Sequence, residues 1–263
     1  MVGDFKLRRF LLSLFAALIA MTTFPTGAET NKKVAIIIDD FGNNMTGTEE
    51  ILNLPVPITA AVMPFLSTTK RDAQWAYEKG HDVFVHLPME PKRGKKSWLG
   101  PGVISTDLTD DEIRKRVIAA IDDVPHAIGV NNHMGSKATG DRRVMRIVLE
   151  VCKERGMIYL DSKTNSKSVI PSVAKELEVP YIENHLFLDD RNQKIHIRKQ
   201  FNLILDHLSE KEDVCIAIGH VGVTGKQTAS VLKDVIPLMQ QKATFVKVSE
   251  LVNPSLLEEV HQK

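Results

Sequence analysis

Cysteine is nearly missing from this chain. Cys152 and Cys215 are the only two among 263 residues, too few for a disulfide framework. Both sit in apolar surroundings and read as small buried hydrophobes; their sequence neighbours lack the basic or histidine partners of a reactive thiol. Whether they pair with each other is not readable from spacing. An excess of charge is missing too. The formal net charge is +1, so the composition implies neither nucleic acid nor an anionic membrane surface as partner. No G-x-G-x-x-G follows the first apolar run and no Walker-type loop occurs, which sets nucleotide chemistry aside. Gly/Ser linkers, low-complexity tracts and fixed-period repeats are likewise missing, and no apolar run beyond the first residues is long enough for a membrane span.

The first 28 residues stand apart from the rest of the chain. Lys6, Arg8 and Arg9 precede an apolar stretch from Phe10 to Met21 broken only by Ser13, and Thr26-Gly27-Ala28 supplies small residues at a cleavage site. This is the pattern of a secretory signal peptide, so the chain is expected to be exported, with the mature protein starting near Glu29. An uncleaved membrane anchor is the competing reading, although the 12-residue stretch from Phe10 to Met21 is short for a span.

The remainder alternates apolar runs with amphipathic stretches. Strands are expected at 34–38, 58–63, 82–87, 127–131, 157–161, 181–187, 214–219 and 244–248, most of them rich in Val and Ile and apolar without clean alternation. Strands covered on both faces read this way. Between them, Ile113, Val117 and Ile121 recur on one helical face behind a Thr109/Glu112 capping box, and Val144, Ile147, Val148 and Val151 form a second stripe stopped by Gly156. Pro237 is expected to bend or end the helix that contains it. Repeated β-then-α units imply parallel strands with right-handed crossovers. Seven or eight such units suit a distorted α/β barrel, with an open doubly wound sheet as the alternative.

Polar residues fall at one end of these runs. "VAIIIDDFG" finishes in Asp39 and Asp40, "VHLPMEP" carries His86 and Glu90, "NNHMGS" carries Asn132 and His133, "YLDSKT" carries Asp161 and Ser162, and "AIGHVGVT" carries His220. In a parallel barrel these ends share one rim, where barrel enzymes build their sites. Two adjacent carboxylates repel unless a cation or a proton lies between them. A divalent metal bound by one aspartate and two imidazoles would hold the pair, with the other aspartate as general base and a histidine across the pocket as general acid. Such a set performs metal-assisted hydrolysis of an ester or amide. Each residue also has a plainer reading: an aspartate capping the next helix, a hydrogen-bonded structural histidine, a turn at Asp161. The basic stretch "PKRGKKSW" at 91–98 reads as a solvated flap, with Trp98 as a sugar-stacking face. His81, His126, His185, His196, His207 and His261 lie outside the pattern and read as surface or structural.

In that order, "IIDDFG", "ITAAVMPF", "VHLPMEP", "GVNNHMGSKAT", "YLDSKT" and "AIGHVGVT" resemble the divergent polysaccharide deacetylase family, a branch of the polysaccharide deacetylase superfamily. The resemblance covers roughly 33–252 of a 29–263 domain. It implies a distorted (β/α)7–8 barrel and metal-dependent removal of acetyl groups from a polysaccharide or oligosaccharide, usually with zinc (Zn2+). Carried over, Asp39 resembles the catalytic base, Asp40 and His86 metal ligands, Asp161 the acidic residue that orients the site, and His220 the general acid. The superfamily expects a second metal histidine where this chain has Glu90, so the resemblance leaves either Glu90 or His133 as third ligand. The superfamily's arginine-containing motif has no counterpart here. That departure keeps a second function open: an envelope protein that retains the barrel and binds a glycan or a partner without catalysis.

Overall fold

The computed structural model describes residues 31–210 and 212–252, all within one compact unit. The signal-peptide pattern at 1–28 and His261 lie outside the described residues. Among the described residues no helix is long and apolar enough to cross a membrane.

Among the described residues nine strands form one parallel sheet: β1 (Lys33–Phe41), β2 (Thr59–Val62), β3 (Asp82–Met89), β4 (Ala127–Met134), β5 (Ile158–Asp161), β6 (Tyr181–Glu183), β7 (Leu186–Phe187), β8 (Val214–His220) and β9 (Thr244–Phe245). Their order is β6-β5-β4-β3-β2-β1-β8-β7, with β9 beside the start of β1. The sheet curls into a distorted barrel because one short stretch serves both of its edges. Residues 181–183 pair with β5, and three residues later 186–187 pair with β8. Between them, Asn184 N–H donates to Asp161 O and His185 N–H to Ile216 O. The single strand expected at 181–187 is therefore two short ones in a single extended segment, and the doubly wound alternative does not apply.

Seven helices among the described residues connect the strands: α1 (Thr48–Leu52), α2 (Thr69–Glu78), α3 (Asp110–Asp123), α4 (Arg142–Glu154), α5 (Ile170–Leu177), α6 (Lys194–Glu210) and α7 (Gly225–Met239). The Thr109 hydroxyl accepts the Glu112 N–H at the start of α3, and Asp141 accepts the Val144 N–H at the start of α4. α4 buries the expected Val144, Ile147, Val148 and Val151 stripe. α7 runs only two residues past Pro237.

Strand alternation divides the core in two. Val34, Ile36 and Ile38 of β1 pack toward the helices with Val83, Val85 and Leu87 of β3. Ala35, Ile37, Phe84, Ile158, Leu160, Ile216 and Ile218 fill the barrel interior. The C-terminal segment supplies Val246, Val248 and Val252 to that inner cluster. It is held near the start of β3, where Ser249 N–H donates to Asp82 Oδ2. The strand run expected at 244–248 thus shortens to two residues, and the remainder plugs the barrel from the N-terminal ends of the strands. The C-terminal ends are left for a site.

Gly129 of β4 shows how tightly the inner layer is filled. A Cβ there would lie 2.4 Å from Cζ of Phe84, whose ring is fully buried. Gly129→Ala is expected to destabilise the protein by roughly 1–3 kcal/mol through overpacking. Urea unfolding measures this, and Gly129→Ala/Phe84→Leu should cost less than the two single changes summed.

Candidate active site

The inward-facing series on each strand turns polar as it reaches the open end. On β1 it runs Ala35, Ile37, Asp39; on β3, Phe84, His86; on β4, Gly129, Asn131, His133; on β8, Ile216, Ile218, His220. Register then sets neighbours. Asp39 lies opposite His220 across β1 and β8, and His86 lies opposite Asn131 across β3 and β4.

Asp40 should face away from Asp39, since successive strand residues alternate. It does not, because its backbone takes φ 72°, in the left-handed region. The β1–β2 register slips between Ile38 and Phe41, and Phe41 accordingly joins the helix-side core despite its odd number. This local break delivers two consecutive carboxylates to one pocket. The pocket, of about 310 Å³, is lined by Asp39, Asp40, His86, His133, Ser162, Phe187 and His220, among others.

Three side chains converge there. His86 Nε2 lies 3.0 Å from His133 Nδ1 and 3.3 Å from Asp40 Oδ1, and His133 Nδ1 lies 3.1 Å from the same oxygen. The far nitrogen of each ring faces an oxygen that only accepts: His86 Nδ1 is 2.8 Å from Asn131 Oδ1, and His133 Nε2 is 2.9 Å from the carbonyl of Trp98. Those far nitrogens therefore carry the protons, and both inner nitrogens of the neutral rings present lone pairs. Asp40 Oδ1 is buried without a hydrogen-bond partner. Three electron-rich atoms facing one another require a positive charge among them. Metal–ligand distances of about 2.0–2.2 Å place neighbouring ligand atoms about 3.0–3.5 Å apart, so the triangle fits a divalent ion. The electrostatics show the same need for a positive charge, which a proton on His86 meets where no ion is bound. Burial pushes the Asp40 carboxyl up, but His133 and His86 outweigh it and hold it well below its ordinary value. Burial pushes the His86 imidazolium down, but Asp39 and Asp40 outweigh it and raise its pKa.

Asp39 is buried beside this cluster. Its Oδ1 accepts from Asn131 Nδ2 at 2.8 Å. Burial raises its pKa above its ordinary value, with the nearby Asp40 charge adding to the rise. Asn131 thus orients both His86 and Asp39. His220 is held by Asp189, whose Oδ1 lies 2.7 Å from His220 Nδ1. The other oxygen of Asp189 accepts from the His220 backbone N–H and from the hydroxyls of Thr224 and Thr228. Burial lowers the His220 pKa, but the Asp189 hydrogen bond and charge outweigh it and bring it to about 9.

Of the residues singled out from sequence, Asp39, Asp40, His86, His133 and His220 meet in this pocket, while Glu90 and Asp161 do not line it. Glu90 accepts from the Thr106 N–H and hydroxyl and pairs with Lys137, tying together the two loops after β3 and β4. It is not among the converging ligand atoms, so between Glu90 and His133 the geometry brings His133 to Asp40 and His86. Asp161 has the opposite parity to the inward Leu160. Its Oδ1 accepts the Lys163 N–H, and the carboxylate that orients His220 is Asp189 instead. Asp189 and Asn131 escaped the sequence reading. A signal for Asp189 existed: "LFLDD" at 186–190 repeats the apolar run and paired aspartates of β1. Asn131 had none, since its role comes from register alone.

A second group, His185, His207 and Cys215, brings ligand atoms within 4.8 Å of one another. There His185 Nδ1 already accepts the Ile216 N–H, so that ring offers a proton rather than a lone pair at its other nitrogen. Both cysteines are free and buried.

The divergent polysaccharide deacetylase family profile matches residues 36–252. An uncharacterized protein of Escherichia coli, YibQ, is 35% identical over 95% of this chain and 75% of its own length. An uncharacterized protein of Haemophilus influenzae is 35% identical over 72% of this chain and 66% of its own. Among solved structures, an uncharacterized protein of Agrobacterium tumefaciens superposes with a TM-score of 0.77 at 20% identity, covering 86% of this chain and 91% of that one. A peptidoglycan N-acetylglucosamine deacetylase superposes with a TM-score of 0.50 at 14% identity, covering 84% and 88%. These likenesses to solved structures concern the fold.

The His220–Asp189 pair can be tested without any substrate. The His220 ring is expected to titrate near pH 9 by NMR. In Asp189→Asn its midpoint should fall toward the ordinary value near 6.5, because the charge that favours the imidazolium is gone.

Proposed function

The chain belongs to the divergent polysaccharide deacetylase family, and we propose that it is a metal-dependent hydrolase removing acetyl groups from a polysaccharide or oligosaccharide outside the cytoplasm. The observation that carries this reading is the convergence of Asp40 Oδ1, His86 Nε2 and His133 Nδ1 beside a second, separately held carboxylate. A glycan-binding protein has no use for three unsatisfied lone pairs and a carboxylate of raised pKa. Export rests on the basic, apolar and small-residue succession at 1–28.

In this reading Asp40, His86 and His133 hold a divalent cation, with zinc suited to a carboxylate and two imidazoles. Such an ion supplies Lewis acidity at the acetyl carbonyl and acidifies water. The chain's own groups handle the protons. Burial raises the pKa of Asp39, which strengthens it as a base, and Asn131 orients it, so it takes the proton from the attacking water. His220 lies opposite Asp39 in the strand register and is kept protonated at neutral pH by Asp189. It gives its proton to the leaving amine or alkoxide of the sugar. Asn131 couples base to ligand by touching both Asp39 and His86. Trp98, through its backbone carbonyl, selects the ligating tautomer of His133.

Purified protein incubated with zinc should hold one equivalent of metal at this site, read by elemental analysis after dialysis. His133→Ala should lose that metal. Asp39→Asn should keep it, while metal-dependent acetate release from acetylated chito-oligosaccharides drops by roughly 10²–10⁴-fold. Equal metal content in the two variants would reverse the assignment of ligand and base. Retained metal with no acetate released from any acetylated glycan would favour the non-catalytic glycan-binding reading.

A further inference from the structure

Behind the metal-ligand pocket lies a second one, of about 340 Å³, lined by Lys92, Thr106, Lys137, Gly140, Asp141, Asn165 and Lys167. The two share one wall. Three rim segments build it, and along each of them neighbouring residues face opposite sides. Pro91 and Arg93 line the first pocket and Lys92 the second; Ser136 lines the first and Lys137 the second; Thr164 lines the first and Asn165 the second. The wall is pinned by Lys92 N–H donating to Ser136 Oγ and by Lys92 Nζ donating to Asn165 Oδ1. A group entering beside His133 therefore has this second pocket as its next neighbour along the rim.

The charge of the wall is mainly positive, with Asp141 the one carboxylate among the residues lining the second pocket. Lys92, Arg93 and Lys167 are exposed, and among the described residues none of them pairs with a carboxylate. Lys95 sits over the Trp98 ring, 5.5 Å from its centroid, on the same loop. The acidic groups present are already engaged: Glu90 with Lys137 and Thr106, and Asp141 with the first turn of α4. In a chain of net charge +1, this leaves three cations without an ion-pair partner among the described residues, against the single Asp141 carboxylate, beside the proposed reacting centre. Uncompensated cations gathered at a pocket raise the local concentration of anions and steer them inward.

We infer that the glycan is anionic, with the acetylated sugar at the metal-ligand pocket and a carboxylate of the adjacent sugar at the Lys92, Arg93 and Lys167 wall. This assignment rests on the hydrolase reading and narrows its substrate class. Each exposed cation is worth roughly 2- to 5-fold in affinity, and the three together about tenfold or more at low salt. The effect shrinks as the Debye length falls toward 3 Å near 1 M salt.

The test uses the full chain loaded with zinc and carrying Asp39→Asn, so that binding is read without turnover. Two probes differ only in charge: an N-acetylated oligosaccharide whose alternate sugars bear a lactyl ether carboxylate, and the methyl ester of the same oligosaccharide. Titration calorimetry at 50 mM salt should show the acid binding about tenfold more tightly than the ester, with the difference largely lost at 1 M. Adding Lys92→Gln, Arg93→Gln and Lys167→Gln should remove the preference, so that acid and ester bind alike; circular dichroism checks that the variant folds. Equal affinity for acid and ester, or a preference that survives the triple substitution, would overturn the charge assignment alone, provided the unsubstituted protein still releases acetate in a metal-dependent way. Binding of neither probe, with no acetate released, would overturn the hydrolase reading and this inference together.

Discussion

Everything at the open end of this barrel is arranged around three lone pairs that face one another. Asp40 Oδ1, His86 Nε2 and His133 Nδ1 form a triangle with sides of 3.0 to 3.3 Å. Left without a positive charge, such a cluster is strongly unfavourable, because buried acceptors lacking a donor forfeit their hydration. Its persistence requires that each ring be held from behind. Asn131 does this for His86, and the Trp98 carbonyl does it for His133. Outer partners of this kind set tautomer and basicity, and so decide whether a histidine can act as a ligand.

The scaffold reaches this arrangement through two departures from regular strand geometry. Alternation alone delivers Asp39, His86, Asn131, His133 and His220 to the barrel mouth. It would send Asp40 into the helix-side core, where an aspartate lacks partners. The left-handed backbone at Asp40 and the register slip beside it turn the side chain back. Strained backbone of this sort persists only where the surroundings over-determine it, and it concentrates at functional sites. The second departure is the 181–187 segment, which pairs with both edges of the sheet. It carries Asp189 to the end of β8, where four donors converge on that carboxylate and fix His220.

Glu90 stands where the family resemblance expects a histidine, and a second imidazole reaches the cluster from elsewhere. The imidazole arrives from β4, two inward positions beyond Gly129, and Glu90 instead fastens the flap after β3 to the loop after β4. Since the Trp98 carbonyl lies on that flap, the clamp and the ligand are mechanically connected. The same flap carries Lys92 and Arg93 to the rim, so one loop contributes to ligand geometry and to the electrostatics of approach.

The chain's sequence by itself determined the kind of fold and which residue types reach its open end. Val- and Ile-rich runs alternating with capped amphipathic helices leave few options besides a parallel sheet under helices, and aspartates and histidines closing those runs fall on one rim for the same reason. Hydrophobic period is a local property, so it is legible residue by residue. Tertiary structure alone decided which polar residues meet. Asp161 and Asp189 look alike in sequence, each ending an apolar stretch, yet parity turns one toward the helices and the barrel closure brings the other to His220. His133 joined Asp40 and His86, and Asn131 came to support His86, through the β3–β4 register, which pairs residues 45 positions apart. Such pairings depend on where separate strands stop and how far each is shifted against the next. No spacing within a single stretch of chain records that information.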